Sequence, residues 1–249
     1  MTRSIKIGCC GFRSARDEYY ALQLPAVEVQ HTFYQPPQVA TLAKWRAEAP
    51  PAFEFTIKAW QLITHTARSP TYKRLKRELT EEERDEAGSF RASDIVREAW
   101  KVTRACARAL DAQTILFQCP ASFRPTDGNI ANLRRFCTAL KPEREGLHLC
   151  WEPRGDWPRE LIRSLCTELD LWHTVDPFAA RTVTPERCYF RLHGRGGWRY
   201  QYEDDELAEL LALLPPNGQA YVFFNNIKMI EDAVRFQELV ARAGVTESD

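Results

Sequence analysis

The sequence predicts a (β/α)8 barrel of the TIM type, one α/β domain over residues 1–249 with a long charged excursion after its third strand. Three observations predict it. Eight short segments rich in aliphatic, β-branched and aromatic residues alternate with seven or eight helical ones, and alternation of this kind implies parallel strands joined by crossover helices. Eight such units in 249 residues match the size of a single barrel. The competing arrangement, an open doubly wound sheet, would be marked by a G-x-G-x-x-G phosphate turn, and nothing in the chain resembles one.

The elements follow in order. Strand one is Ile5–Cys10, closed by Gly11, and a short helix through Asp17–Leu24 leads into strand two, Ala26–Gln30. There Val27 and Val29 alternate with Glu28 and Gln30 at the period of a strand. Pro36–Pro37 precede a helix over Val39–Ala49 that Pro50–Pro51 ends. Strand three, Phe53–Lys58, alternates Phe53, Phe55 and Ile57 with Glu54, Thr56 and Lys58. Residues 59–112 form the excursion, helical in part and not a separate domain. Its middle, Thr71–Phe90, mixes charges of both signs and reads as a solvated helix or mobile cover. Ser93 then caps a helix whose stripe is Ile95, Val96, Ala99, Trp100, Thr103, Cys106, Ala107 and Leu110.

Strand four is Thr114–Gln118, and Asp127–Lys141 is the next helix. Strand five is Leu147–Glu152. Pro158 starts a helix carrying Leu161, Ile162, Leu165 and Leu169, since proline is tolerated at the first helical position. Strand six is Leu171–Asp176, and the link Pro177–Glu186 has room only for a helical turn before strand seven, Arg187–Leu192. A glycine-rich loop precedes the helix Asp204–Leu214. Strand eight is Gln219–Phe224, and the closing helix Ile230–Ala243 has Gly244 as its C-cap.

Composition narrows the class. Hydrophobic residues make up 44% and charged residues 27%, as in an ordinary globular protein. Thirty-four basic and 34 acidic residues balance, so no global field draws in nucleic acid or membrane. The N-terminus lacks the apolar run of a signal peptide, and no segment approaches the roughly 20 apolar residues of a membrane span. A cytoplasmic protein with no membrane partner is expected. The eight cysteines form no C-x-x-C pair, which predicts free thiols packed as small hydrophobes rather than a zinc ribbon or a disulfide framework.

Inward side chains of barrel strands lie on alternate positions, so parity points to the residues that share the interior. Those residues are Glu28 and Gln30; Thr56 and Lys58; Gln118; His148, Cys150 and Glu152 with Arg154 just beyond; Thr174 and Asp176; Tyr189, Arg191 and His193; and Tyr221, Phe223 and Asn225. The polar ones gather at the carboxyl ends of the strands, where barrels of this kind build active sites. Glu28, Lys58, Glu152, Arg154, Asp176 and Arg191 balance three acids against three bases. A purely structural network of this sort adds little net stability, because desolvation offsets the attraction, so function is the better reading. The loop His193–Trp198 holds three glycines and Arg195, a pattern suited to turning backbone N–H groups toward a phosphate. Tyr34, Trp60, Trp157, Trp198, Tyr200 and Tyr202 stand as rim aromatics. His31, His65 and His193 with the three carboxylates could supply metal ligands. No H-E-x-x-H spacing is present, however, and the nearby cations Lys58, Arg154 and Arg191 would repel a divalent ion. No cofactor is therefore assigned.

The stretches VEVQHTFY (27–34), FTIKAWQLITH (55–65), FQCPASF (117–123), WEPRGDW (151–157), YFRLHGR (189–195) and FFNN (223–226) resemble, in order, the motifs of the YecE-like family, domain of unknown function 72. The resemblance spans nearly the whole chain and implies a TIM-type barrel. It also implies a pocket at the positions matching here as Glu28, Lys58, Glu152, Arg154, Asp176, Arg191, His193 and Asn225. The chain departs from the family pattern at Gln30, where the family usually has asparagine, and at Gly8-Cys9-Cys10-Gly11-Phe12, where it usually reads G-T-S-G-W.

The expected function is an enzyme of the hydrolase or isomerase type acting on a small or oligomeric anionic, phosphate-bearing substrate. Glu28, Lys58, Glu152, Asp176 and His193 are the candidate catalytic residues. Gln30, Tyr34, His65, Gln118, Arg154, Arg191, Arg195 and Asn225 are the candidate substrate ligands. The alternatives are a non-catalytic module that binds nucleic acid or a metabolite, and a metal-dependent phosphodiesterase.

Overall fold

A computed structural model describes residues 3–144 and 146–244 of the chain. Its eight strands close into a barrel in chain order. They are β1 (Arg3–Cys10), β2 (Ala26–Val29), β3 (Glu54–Lys58), β4 (Thr114–Gln118), β5 (His148–Glu152), β6 (Trp172–Val175), β7 (Arg187–Leu192) and β8 (Gly218–Phe224). Between them lie α1 (Arg16–Ala21), α2 (His31–Tyr34), α3 (Val39–Glu48), α4 (Gln61–Thr64), α5 (Glu81–Glu86), α6 (Asp94–Leu110), α7 (Asp127–Leu140), α8 (Arg159–Leu169), α9 (Asp204–Leu213) and α10 (Met229–Arg242). No helix among the described residues is long and apolar enough to cross a membrane.

The chain divides into two compact units, one of Met1–Val29, Glu48–Phe55 and Trp172–Asp249, the other of Gln30–Ala47 and Thr56–Leu171. In the first, β1 pairs in parallel with β2 and β8, and β7 with β6 and β8. Register places Gly8 beside Phe223, Phe223 beside Arg191, and Cys10 beside Glu28. These side chains therefore share the inward parity. One layer nearer the amino ends, Lys6 pairs with Glu54 at 3.3 Å, and the Tyr221 hydroxyl donates to the same carboxylate at 2.7 Å. Helix α10 covers β1 and β8 with Ala233, Phe236 and Val240 buried.

In the second unit β4 pairs in parallel with β3 and β5, with Gln118 opposite Glu152. The predicted stripe of α6 is buried at all eight positions. Trp100 meets Phe117 and Phe136, and Phe90 and Phe123 join the same aromatic cluster. Ser93 occupies the N-cap position, yet its hydroxyl donates to the Glu86 carbonyl at 3.0 Å instead of accepting from the helix.

Other expectations shift for local reasons. Strand two ends at Val29 because Gln30 turns into the helical region (φ −86°, ψ −24°) and starts α2. Pro158 is the N-cap of α8, not its first helical residue, and Leu161 is only half-buried. The link between β6 and β7, by contrast, holds the single turn expected, in which Ala179 and Ala180 donate to the Asp176 carbonyl.

Residues 71–90 correct the expectation of a mobile cover. Helix α5 is solvated and closed by a Thr80–Glu83 capping box, but the chain behind it is pinned. Ala87, Gly88 and Phe90 are buried, and Gly88, Ser89 and Phe90 all have positive φ (79°, 53° and 53°). That left-handed turn aims three backbone N–H groups at α4: Gly88 to Leu62 (2.8 Å), Ser89 to Thr64 (3.3 Å) and Phe90 to Ile63 (2.8 Å). The last carbonyls of a helix lack intrahelical partners, and this turn supplies them. A Cβ at Gly88 would lie 2.2 Å from the His65 carbonyl oxygen. Gly88→Ala is expected to destabilise the fold by about 1–3 kcal/mol, read as a lowered denaturant midpoint; an unchanged midpoint would contradict this packing.

Candidate functional site

The inward residues of the first unit centre on Glu28, at the carboxyl end of β2. Its Oε2 accepts from the Tyr189 hydroxyl at 2.7 Å and from Arg191 Nε at 3.0 Å, and its Oε1 accepts from Arg191 Nη2 at 3.0 Å. Both partners come from β7, two residues apart and so on one face. Glu28 is 0% exposed and Arg191 1%. The pair is bidentate, the geometry that gives arginine and carboxylate the most hydrogen bonding for their charge. Cys10 lies beside it, its thiol pushed well above the ordinary range first by burial and then by the Glu28 charge.

Asp176 and His193 come from the ends of β6 and β7. Asp176 Oδ1 accepts from the backbone N–H of Phe178 at 3.1 Å, and Oδ2 from that of His193 at 3.0 Å. His193 Nδ1 stands 3.7 Å from the same Oδ2. The carboxylate thus joins two strand ends and faces an imidazole. Asn225 donates its backbone N–H to Leu192. Its neighbour Asn226, which sequence reasoning passed over, is buried and donates to Tyr200 O and Asp232 Oδ2, the latter at 2.6 Å.

The glycine loop does not form the expected anion cradle. Gly194 donates its N–H to the Tyr202 hydroxyl at 2.8 Å, and Gly197 donates to the Gly194 carbonyl. Arg195 pairs with Glu206 at 2.9 Å and with Glu209, and its guanidinium lies over Phe178. Two carboxylates from α9 neutralise the charge that the sequence reading assigned to a phosphate. Of the rim aromatics, Trp60, Trp157 and Tyr202 are buried, Tyr34 and Tyr200 half-buried, and Trp198 exposed.

The second unit holds Lys58, His65, Gln118, Glu152 and Arg154. Lys58 is buried at the end of β3 with Nζ 3.6 Å from the centroid of the Phe33 ring, a cation–π contact. Thr32 Oγ1 donates to the Lys58 carbonyl at 2.7 Å. Helix α2 is short because its one turn serves to bring Phe33 inward beneath this ammonium and leave Tyr34 outward. His65 follows α4, its ring 4.9 Å edge-on from Phe33 and its Nδ1 2.8 Å from Thr64 Oγ1. The Tyr72 hydroxyl holds the His65 carbonyl at 2.7 Å. Burial first, then the charges of Lys58 and Arg154, lower the His65 pKa to about 3, so the ring is neutral at pH 7. Glu152, at the end of β5, accepts from Arg154 Nε at 2.9 Å; its own side chain is 8% exposed and that of Arg154 40%. Gln118 stands opposite Glu152 in the β4–β5 register and is buried. Gln30 and His31 lie where the chain leaves β2, His31 edge-on to Trp45.

Among the described residues no three His, Cys, Asp or Glu side chains are grouped to hold a metal ion. All eight cysteines are buried free thiols, as the scattered spacing predicts. Tyr189, like Asn226, is not singled out by the sequence: parity turns it inward, but no sequence signal marks which inward tyrosine will meet a carboxylate.

The family model described as "Protein of unknown function DUF72" matches residues 13–248. No curated protein matches the sequence. A solved DUF72 family protein from Enterococcus faecalis V583 is similar over 98% of this chain and 97% of its own, with TM-score 0.73 and 21% identity. Another, from Thermotoga maritima MSB8, covers 97% of this chain and 100% of its own, with TM-score 0.65 and 18% identity. A D-psicose 3-epimerase solved in the presence of D-fructose covers 97% and 99%, with TM-score 0.58 and 14% identity. At these identities the likeness establishes the barrel fold.

Two expectations follow from the geometry. Replacing one member of the buried pair, as in Glu28→Gln or Arg191→Met, is expected to cost about 3–5 kcal/mol of stability, and the double replacement less than the sum. Equilibrium denaturation of the four proteins reads this, and additive single costs would contradict the coupling. The depressed pKa of His65 means that the unfolded chain binds a proton there that the folded chain does not. Stability is then expected to fall as pH drops from 6.5 toward about 3, by up to about 1.4 kcal/mol per unit from this residue. His65→Asn should flatten that stretch of the stability–pH curve, and an unaltered slope would contradict the assignment.

Proposed function

We propose, from the premise that this chain belongs to the DUF72 (YecE-like) family of proteins of unknown function, that it is an enzyme of the hydrolase or isomerase type. Its substrate is a small anionic, phosphate-bearing molecule that meets the carboxyl ends of the strands. One observation carries the reading. Lys58 is buried at the end of β3 with its ammonium 3.6 Å from the Phe33 ring centroid, and at the end of β5 the buried Glu152 accepts from Arg154 at 2.9 Å. Two cations at the carboxyl ends of strands favour an anionic substrate and negative charge developing on it.

The roles follow from the side chains. Lys58 and Arg154 hold the anionic group, the ammonium as a point charge and the guanidinium as a planar fork. Glu152, oriented by Arg154, is the general base or acid. Neutral His65, its Nδ1 engaged with the Thr64 hydroxyl, offers its other ring nitrogen to the substrate, while Gln118 orients it. Glu28 and Arg191 position the strand ends rather than reacting, because each Glu28 oxygen already accepts from a buried donor. Barrels of this type build active sites at this end, and the similar barrel solved in the presence of D-fructose supports a small hydroxylated substrate.

The test is turnover of a panel of sugar phosphates and nucleoside phosphates by the wild type, Lys58→Met and Glu152→Gln. Each variant is expected to lose about 100-fold or more in kcat/KM while remaining folded. Wild-type rates in both would contradict the proposal.

A further inference from the structure

A second group of cations lies in the same unit on the other side of the Phe33–Tyr34 pair. Phe33 turns its face to Lys58, and Tyr34, edge-on to Phe33 at 4.9 Å, takes the Arg74 guanidinium over its ring at 3.5 Å. Around Arg74 opens a groove of about 500 Å³ lined by His31, Tyr34, Gln35, Pro36–Pro37, Gln38, Arg74 and Lys76. That volume lies within the range of small-molecule sites.

The lining is chemically one-sided. It contains a guanidinium, an ammonium, two carboxamides and a phenol, and no carboxylate. Among the described residues neither Arg74 nor Lys76 forms an ion pair with an acid, although the chain as a whole carries as many acids as bases. The Arg74 guanidinium carbon instead lies 3.5 Å over the Tyr34 ring, a contact that leaves its charge unneutralised. Gln35 Oε1 accepts from the Lys76 backbone N–H at 3.0 Å, which ties the segment carrying both cations to the wall formed by residues 35–38 and leaves the Gln35 NH2 group for a ligand. Pro36 and Pro37 stiffen that wall by fixing φ. The His31 imidazole, whose pKa is lowered by burial and then by Arg74, adds a neutral ring at the edge.

We infer that this groove is a second anion site, separate from the Lys58 cluster, that binds a phosphate ester between Arg74, Lys76 and Gln35. A phosphoryl group matches the planar guanidinium fork and the point charge together, and the remaining length of the groove accommodates the esterified sugar or nucleoside beside Tyr34 and the prolines. The ester is that of a small molecule, because about 500 Å³ is the volume of a small-molecule site.

Isothermal titration of the full chain with AMP and with glucose 6-phosphate tests this, with a short oligothymidylate as the competing source of the same chemistry. Saturable binding of one of the small esters is expected. Measured in the Lys58→Met background, which disables the proposed catalytic site, it should persist and should weaken about tenfold on adding Arg74→Gln or Lys76→Gln. Arg74 and Lys76 are exposed, so the variants are expected to melt with the wild type. Absence of binding by both esters, equal affinity in the double variant, or binding of the oligonucleotide alone would overturn the inference.

Discussion

Withdrawing Glu28 and Arg191 from water costs several kcal/mol per ion even after relaxation, and the fold recovers that cost only if every polar atom of the pair is satisfied. The geometry of the first unit meets this condition. Arg191 and Tyr189 lie two residues apart on β7, so both reach the same carboxylate, and the β1–β2 register brings Cys10 alongside it. A shift of β7 by one residue would turn both donors away and strand a buried charge. The pair therefore specifies strand register more than it adds stability, and it keeps the carboxyl ends of β2 and β7 in place.

The charges of the second unit are arranged differently. Lys58 rests on the face of Phe33, and Glu152 accepts from an arginine whose side chain remains 40% exposed. Lys58 and Glu152 are buried, while Arg154 reaches solvent. Burial first, and then the charges of Lys58 and Arg154, depress the pKa of His65. A closed bidentate pair suits scaffold, and an arginine that reaches solvent beside a buried carboxylate suits binding. This difference is why the proposed chemistry is assigned to Lys58, Glu152 and Arg154 and not to Glu28.

Much of the fold was legible because period and punctuation survive in a single sequence. The stripe of α6, the strands Thr114–Gln118 and Arg187–Leu192, and the inward parity of Lys58, Glu152 and Arg191 all follow from spacing. Other features depend on contacts that no local pattern encodes. The Gly88–Phe90 turn looks like the tail of a charged, solvated segment until α4 is placed against it. Arg195 in a glycine loop looks like a phosphate ligand until α9 brings Glu206 and Glu209 beneath it. Tyr189 is an unremarked inward residue until β2 supplies Glu28. In each case the deciding partner is distant in sequence, so charge and glycine spacing alone named the chemistry of a residue but not the group that takes it up.

The central claim is that the Lys58–Arg154 field around neutral His65 receives an anion, and NMR titration of the His65 ring in the presence and absence of a phosphate ester tests it most directly. The account predicts a ring that stays neutral until pH approaches about 3 and whose pKa rises when the ester binds, because the added negative charge offsets the two cations. A ring that titrates at its ordinary value, or one indifferent to every ester, would contradict it.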